Sequence, residues 1–308
     1  MINILYLVDK KTYLTKMSRV RFHGIEELSK ITNLKIHGPG WDNYENTRSV
    51  SHNIRKLKKD FDIVIAYKPL DLINFSEIRF PKCIRYNEMY DKKWTEKEIT
   101  KSKIDLVICH HLNEMTNYKI PNIDFKYIGH CANKNVFKNY NQPKEYDFML
   151  VGCINNHYPL RQKIKKIFKN LKDKGYKCYI HPHPGYNHDD AHTNKYMIEM
   201  AKIISKTKIC ITCSGVPRTR FGKYIEIPMC GTAICGDIPL DNADDYDYVI
   251  KLDINMTDGE LIKILETHIK NNELRLDFIK KGLEFSNNYT QEKYADRFLN
   301  IIKKFLNK

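Results

Sequence analysis

Three cations and a carboxylate lie within nine positions of one another: Arg218, Arg220, Lys223 and Glu226. They follow a short β-branched apolar run, Ile209-Cys210-Ile211-Thr212, which reads as a buried strand. Ser214, Gly215 and Pro217 supply a small-polar turn between the two. A short helix is expected from about Thr219, with Gly231 stopping it, and Thr232 to Cys235 reads as the next strand. Strand, polar turn, helix, glycine and strand make one unit of a parallel sheet, in which ligands sit at the carboxyl ends of strands. Arginine and lysine beside a helix N-terminus suit a diphosphate. Glu226, one turn later, offers an acceptor for hydroxyls. Cations for phosphate plus a carboxylate for hydroxyls describe a nucleotide-sugar site.

Arg220, Phe221, Glu226, Gly231, Thr232 and Ala233 have the spacing Arg-Phe-(x)4-Glu-(x)4-Gly-Thr-Ala. This pattern resembles the donor-site signature of GT-B glycosyltransferases. The branch it most resembles is the "glycosyl transferases group 1" type that includes CgeB-like spore-maturation proteins. The resemblance is strong from about residue 146 to 300 and architectural before that. It implies an α/β chain with GT-B architecture, two Rossmann-like domains facing each other across a cleft. It implies that Glu226 contacts the nucleotide ribose, and that Ser214, Arg218, Thr219, Lys223 and Thr232 line the diphosphate and sugar. Many relatives carry an acidic residue eight positions before that glutamate; this chain has Arg218 there.

Two further stretches add candidates on the donor side. Asp147 to Gly152 reads as a glycine-ended strand, followed by a loop to Pro159 and a helix near Leu160 with Arg161 in its first turn. In the related enzymes such a glycine and arginine face the donor phosphates. Cys178-Tyr179-Ile180 reads as another strand, followed by His181-Pro182-His183-Pro184-Gly185 and then His188, Asp189, Asp190 and His192. The prolines hold this loop extended and could set His181 and His183 on the same side. A His-Pro loop here also resembles one in teichoic-acid and capsule transferases, where the histidine reaches donor phosphate; His183 is the candidate. The spacings match no His-Glu-x-x-His or zinc-finger pattern, so a metal site and a plain surface loop stand beside that reading.

The composition sets the frame. The chain has 308 residues, 42% hydrophobic and 29% charged, with a net charge of +15, and a mean hydropathy of −0.55. That length holds two ordinary domains. The positive charge suits nucleic acid, an acidic membrane or phosphorylated ligands, and equally reflects a composition rich in Lys, Asn and Ile. Nine scattered cysteines, an odd number mostly in strand-like runs, fit reduced thiols in a cytoplasmic protein. Cys210 and Cys213 read as core residues at a strand end. Met1 to Val8 runs straight into a strand without a signal-peptide pattern. No apolar run approaches the roughly 20 residues of a membrane span.

The first half reads as alternating strands and helices. Strands are expected at Ile2–Val8, Leu34–His37, Asp62–Tyr67, Cys83–Tyr86, Ile104–Cys109 and Phe125–His130, with a helix between the third and fourth. The polar segment Asp9 to Arg21 lies where an acceptor could bind, and Trp41 to Ser51 reads as a loop. His23, read as part of a helix over 22–28, is the candidate base, because imidazole titrates near neutral pH. Glu88 and Asp91 are the runners-up. His110 and His111 are adjacent and point apart, which does not favour a metal. Residues 1–140 are expected as the acceptor domain, Asn139 to Glu145 as the linker, 146–287 as the donor domain, and 288–308 as a helix returning to the first domain. Leu160 to Lys174 is basic and amphipathic, the pattern of a helix covering a sheet, and one that also suits peripheral membrane contact.

These features lead to an expected glycosyltransferase with a nucleotide-diphosphate sugar as donor and a glycan, protein or other hydroxyl acceptor. No cofactor and no metal are expected, because basic side chains stabilise the leaving diphosphate. An inverting transfer needs a base, for which His23 stands; a retaining one leaves His23 as an acceptor or donor contact. Two alternatives remain: a catalytically inactive GT-B-like binding protein, and a basic nucleic-acid-binding protein. Against the last, no zinc finger, helix-turn-helix, aromatic RNP or KH signature is present.

Overall fold

Six short runs in the first half form the strands of one parallel sheet, the inner four buried along nearly their whole length, as a sheet between helices requires. In the computed structural model they form β1 (Asn3–Leu7), β2 (Asn33–His37), β3 (Ile63–Ala66), β4 (Lys82–Arg85), β5 (Leu106–Cys109) and β6 (Asp124–Tyr127). The structure describes residues 1–16, 23–86, 88–118, 120–186, 188, 190–241 and 246–307, without the side chains of 190–194. The chain divides into two units. The first comprises Met1–Gly129, Tyr186–Asp190 and Gln291–Lys308; the second comprises His130–Gly185 and Ala191–Thr290.

The first unit holds one sheet in the order β2-β1-β3-β4-β5-β6, parallel throughout. Its helices are α1 (Lys10–Thr15), α2 (Gly24–Ile31), α3 (Val50–Lys56), α4 (Lys92–Ser102) and α5 (Leu112–Met115). Leu5, Val64, Ile84 and Val107 pack with Ile54, Ile99 and Ile104 in its core.

Several local expectations are corrected here. The Asp9–Arg21 segment contains α1, because Asp9 caps it by accepting the Thr12 N–H at 2.7 Å; residues 17–21 lie outside the described ones. The helix expected over 22–28 starts at Gly24, leaving His23 as its N-cap with φ 27°; Phe22 lies outside the described residues. The expected loop Trp41–Ser51 ends early, since Ser49 caps α3. No α-helix joins β3 to β4. Two 3₁₀ turns, Pro69–Asp71 and Phe75–Glu77, take its place. Leu72, Phe75 and Ile78 are all buried, and their spacing of three fits three residues per turn.

The second unit holds a five-stranded parallel sheet of β7 (Tyr146–Leu150), β8 (Cys178–Ile180), β9 (Thr207–Ile211), β10 (Ala233–Gly236) and β11 (Val249–Lys251), in the order β11-β10-β9-β7-β8. The helices are α6 (Pro159–Asp173), α7 (Asp190–Ser205), α8 (Lys223–Met229), α9 (Asp258–Lys270) and α10 (Asn272–Ser286). The amphipathic pattern of α6 is spent on the sheet: Ile164, Ile167, Phe168 and Leu171 pack with Phe148, Ile209 and Ile211. α9 joins them through Leu261 and Leu265, its start fixed by a capping box of Thr257 and Glu260. The expected linker is anchored to this unit: Lys144 Nζ donates to the carbonyls of Ser205, Thr207 and Gly231 at 2.8–3.0 Å.

The chain then returns to the first unit as α11 (Gln291–Leu306), which packs on α2. Tyr294 of α11 accepts a hydrogen bond from Arg85 Nε at 2.8 Å. All nine cysteines are free, and Cys210 and Cys213 lie buried at the end of β9 as expected. Among the described residues no helix is long and apolar enough to cross a membrane.

Candidate functional site

The second sheet changes direction once. β8 lies outside β7, while β10 and β11 lie outside β9. At such a switch point the loops leaving two adjacent strands diverge, and ligands bind at their carboxyl ends. Here the loops after β7 and β9 approach closely. Gly152 has φ +103°, and a Cβ on it would lie 2.5 Å from Arg161 Nη1. Gly215 has φ +68°, and a Cβ there would lie 2.9 Å from His157 O. Both positions need glycine for conformation and for space.

Arg161 is buried. Its Nη1 donates to Cys153 O at 3.0 Å, and its Nη2 donates to Thr212 Oγ1 at 2.9 Å and Cys213 O at 3.1 Å. The guanidinium also stacks on Tyr158, 4.1 Å from the ring centroid. These bonds brace the loop of β7 to the end of β9, so Arg161 works inside the protein, whereas the family pattern turns it towards phosphate.

Ser214 is also fully buried. Its N–H donates to Asp237 Oδ1 and its hydroxyl to Asp237 Oδ2, both at 2.7 Å. The Tyr224 hydroxyl of α8 donates to Asp237 O at 2.7 Å and lies 2.9 Å from Oδ1. Asp237 thus holds the turn after β9 and the helix that follows it. Sequence reasoning leaves Asp237 out of the site; its signal is a carboxylate directly after the apolar run and glycine that end β10.

The helix after the turn is shorter than expected. It starts at Lys223, not Thr219, because Gly215 and Arg218 both take positive φ and the Thr219 N–H turns back to Ser214 O at 3.3 Å. Arg218 and Arg220 therefore precede α8 and act through their side chains. Arg218 is exposed and donates from Nη2 to Ile238 O at 2.9 Å. Arg220 is buried, its guanidinium 4.0 Å from the Tyr289 ring centroid and 5.4 Å from that of Phe285. Lys223 and Glu226 form an ion pair across one helical turn. Thr219 is fully buried, and its Oγ1 has no partner.

The two histidines after β8 differ in burial. His181 is 6% exposed. Its ring lies 5.3 Å from that of Tyr196 and 6.0 Å from that of Tyr179. Burial, with Lys223 and His183 adding, pushes its pKa down to about 4, so it is neutral at physiological pH. His183 is exposed, and its Nδ1 accepts the Gly185 N–H at 3.1 Å. Asp189 and the side chains of Asp190 and His192, from the metal-like cluster, lie outside the described residues.

The structure thus brings Gly152, Arg161, His181, Ser214, Arg218, Thr219, Arg220, Lys223, Glu226 and Asp237 to the carboxyl side of one sheet. Thr232 is not among them. It precedes β10, at the amino edge, where its hydroxyl donates to Ile204 O at 2.7 Å. His23 belongs to the first unit, with Nδ1 4.0 Å from Glu26. Of the runner-up bases, Asp91 caps α4 by accepting the Trp94 N–H at 3.0 Å. His110 and His111 are buried, and His110 Nδ1 lies 2.6 Å from Ile128 O. Among the described residues no group of three His, Cys, Asp or Glu forms a metal-binding cluster.

No protein-family model matches the chain, and no curated protein does. Solved structures do. A glycosyltransferase from Rickettsia africae ESF-5 is 14% identical, with a TM-score of 0.67 over 99% of this chain and 98% of that one. An alpha-glucosyltransferase in complex with UDP and a 13-mer DNA is 11% identical, with a TM-score of 0.65 over the whole of both chains. Anabaena Alr3699/HepE in complex with UDP and glucose is 9% identical, with a TM-score of 0.63 over 98% of this chain and all of that one. At such identities the likeness is one of fold. Its two parallel Rossmann-like sheets match those of GT-B glycosyltransferase structures.

Proposed function

We propose that this protein is a glycosyltransferase, of the group 1 type that includes CgeB-like proteins, transferring sugar from a nucleotide-diphosphate donor to a hydroxyl acceptor. The observation that carries the proposal is the gathering of Arg218, Arg220, Lys223 and Glu226 beside the switch point of the second sheet. The whole-length likeness in fold to transferases solved with UDP supports it. In this reading the cations stabilise the diphosphate as its bond to the sugar breaks, and Glu226 accepts hydrogen bonds from ribose hydroxyls. Positive side chains supply the charge, so the reading expects no metal. His23 serves as base or acceptor contact, and the free cysteines accord with a reducing, cytoplasmic compartment.

Thermal unfolding against a panel of nucleotide sugars and nucleoside diphosphates, uridine forms first, tests the proposal, because a ligand of the native state raises the melting temperature. A shift confined to one nucleotide family, unchanged by EDTA and lost in Glu226→Ala, is the expected result. No shift with any nucleotide would overturn it. Arg220→Ala should lower turnover by orders of magnitude. A second reading, in which nucleic acid carries the acceptor hydroxyl, is favoured by the net charge of +15 and predicts binding that weakens steeply with salt.

A further inference from the structure

His181 is the first residue beyond β8, and its backbone N–H continues the sheet by donating to Leu150 O at 3.0 Å. The backbone is therefore fixed, and the side chain's surroundings are set by the fold. Neither ring nitrogen has a hydrogen-bond partner, and both are shut off from water. Buried polar atoms are almost always paired, because an unmet donor or acceptor costs roughly 1–3 kcal/mol. The loss here is one that phenylalanine in the same space would avoid. Packing between Tyr179 and Tyr196 needs an aromatic ring and does not need its nitrogens.

We infer that His181 is a specificity-determining contact of the donor site, hydrogen-bonding through its ring to uncharged hydroxyls of the donor sugar. This rests on the reading of the second unit's carboxyl edge as the donor site. The chemistry separates sugar from phosphate. A neutral imidazole presents one N–H donor and one lone-pair acceptor, the complement of a hydroxyl that gives and takes a hydrogen bond. Lys223, whose charge lowers the His181 pKa, and the two arginines of the turn already supply cations for phosphate. Burial, with the Glu226 carboxylate adding, raises the Tyr196 hydroxyl pKa, so the same neighbourhood holds a carboxylate for hydroxyls. Tyr196 is the side chain that gives way when the sugar enters: its hydroxyl is held by one long bond, 3.3 Å, to Pro182 O.

The test compares the full-length wild type with His181→Phe and His181→Gln, using thermal shift and titration with UDP, UDP-glucose, UDP-N-acetylglucosamine and the corresponding guanosine compounds. Phenylalanine keeps the ring and removes both polar atoms. Ligand-free His181→Phe should melt at the wild-type temperature or above it. Its affinity for the free nucleoside diphosphate should be unchanged, while that for the nucleotide sugar falls by about tenfold or more, the worth of one or two lost hydrogen bonds. Glutamine keeps a donor and an acceptor and should restore part of the sugar increment. Sugar binding by His181→Phe equal to wild type overturns the inference alone. An equal loss of diphosphate and sugar binding also overturns it, since the contact would then be to the nucleotide. If the wild type binds none of these compounds, the donor-site reading falls and this inference with it.

Discussion

Replacing Asp237 with alanine should release the turn after β9 from its anchor without touching the hydrophobic core. The carboxylate takes the Ser214 N–H and the Ser214 hydroxyl at 2.7 Å each. Tyr224 keeps a partner after the substitution, because its hydroxyl also donates to the Asp237 backbone carbonyl. Ser214 is fully buried and has no such reserve. Two orphaned buried groups at roughly 1–3 kcal/mol each give a cost of about 2–4 kcal/mol, after some relief from water entering at the half-buried Asp237. Asp237→Asn is milder. Its Oδ1 still accepts from Ser214 N–H, and the serine hydroxyl can rotate to accept from the new amide. Losing only the charge assistance should cost about 1 kcal/mol. Urea unfolding followed by far-UV circular dichroism measures both. The two tryptophans, Trp41 and Trp94, lie in the first unit, so their fluorescence is an internal reference that should shift less than the dichroism. Asp237→Ala costing under about 1 kcal/mol, or asparagine costing as much as alanine, would refute the bracing role.

Three more outcomes are expected. Gly236→Ala would put a Cβ 2.7 Å from the Thr212 backbone oxygen, an overpacked contact costing about 1–3 kcal/mol in the urea midpoint. Lys144→Met strips the carbonyls of Ser205, Thr207 and Gly231 of their donor and should lower stability by about 1–3 kcal/mol, with Lys144→Arg closer to wild type. His181 is neutral when folded, burial having pushed its pKa down to about 4 from the ordinary 6.5. The unfolded chain therefore binds the extra proton first. Stability from this group is fully present above pH 6.5 and drains as pH falls from 6.5 to 4, by about 1–3 kcal/mol. His181→Phe should flatten that limb of the stability curve, and an unchanged pH profile would contradict the buried, neutral assignment.

The inner strands of the first sheet, such as Ile63–Ala66 and Leu106–Cys109, were legible because they are buried on both faces and so read as unbroken apolar runs. The start of α9 is marked by side chains, the reciprocal capping box of Thr257 and Glu260. The 3₁₀ turns between β3 and β4 were not legible, because Leu72, Phe75 and Ile78 satisfy helical spacing as well as threefold spacing, and only the short span decides between them. Thr232 shows a different limit. The Arg-Phe, Glu and Gly-Thr-Ala pattern is contiguous in sequence, yet α8 carries the chain from the carboxyl edge back to the amino edge of the same sheet. A motif that crosses such a helix holds residues from both edges, and its last members serve the fold. Asp237 was missed for the converse reason. One carboxylate after a strand looks like a solvated turn until the serine it serves is found buried.

Arg161 and Arg220 carry the same idea further. Both were read as phosphate cations, and both are buried and stacked on aromatic rings. What separates them is the part of the fold each side chain serves. Arg161 directs its Nη groups at three oxygens of the loops it joins. Removing it would loosen the β7 and β9 loops whether or not a donor binds. Arg220 places its guanidinium 4.0 Å from the Tyr289 ring centroid and 5.4 Å from that of Phe285, and a cation stacked on aromatics can still direct N–H groups at an anion. Position along a motif cannot distinguish these roles. Arg161 joins two loops through three hydrogen bonds, so its substitution should register first in stability; Arg220 lies in the turn before α8, so on the proposed reading its substitution should register first in turnover.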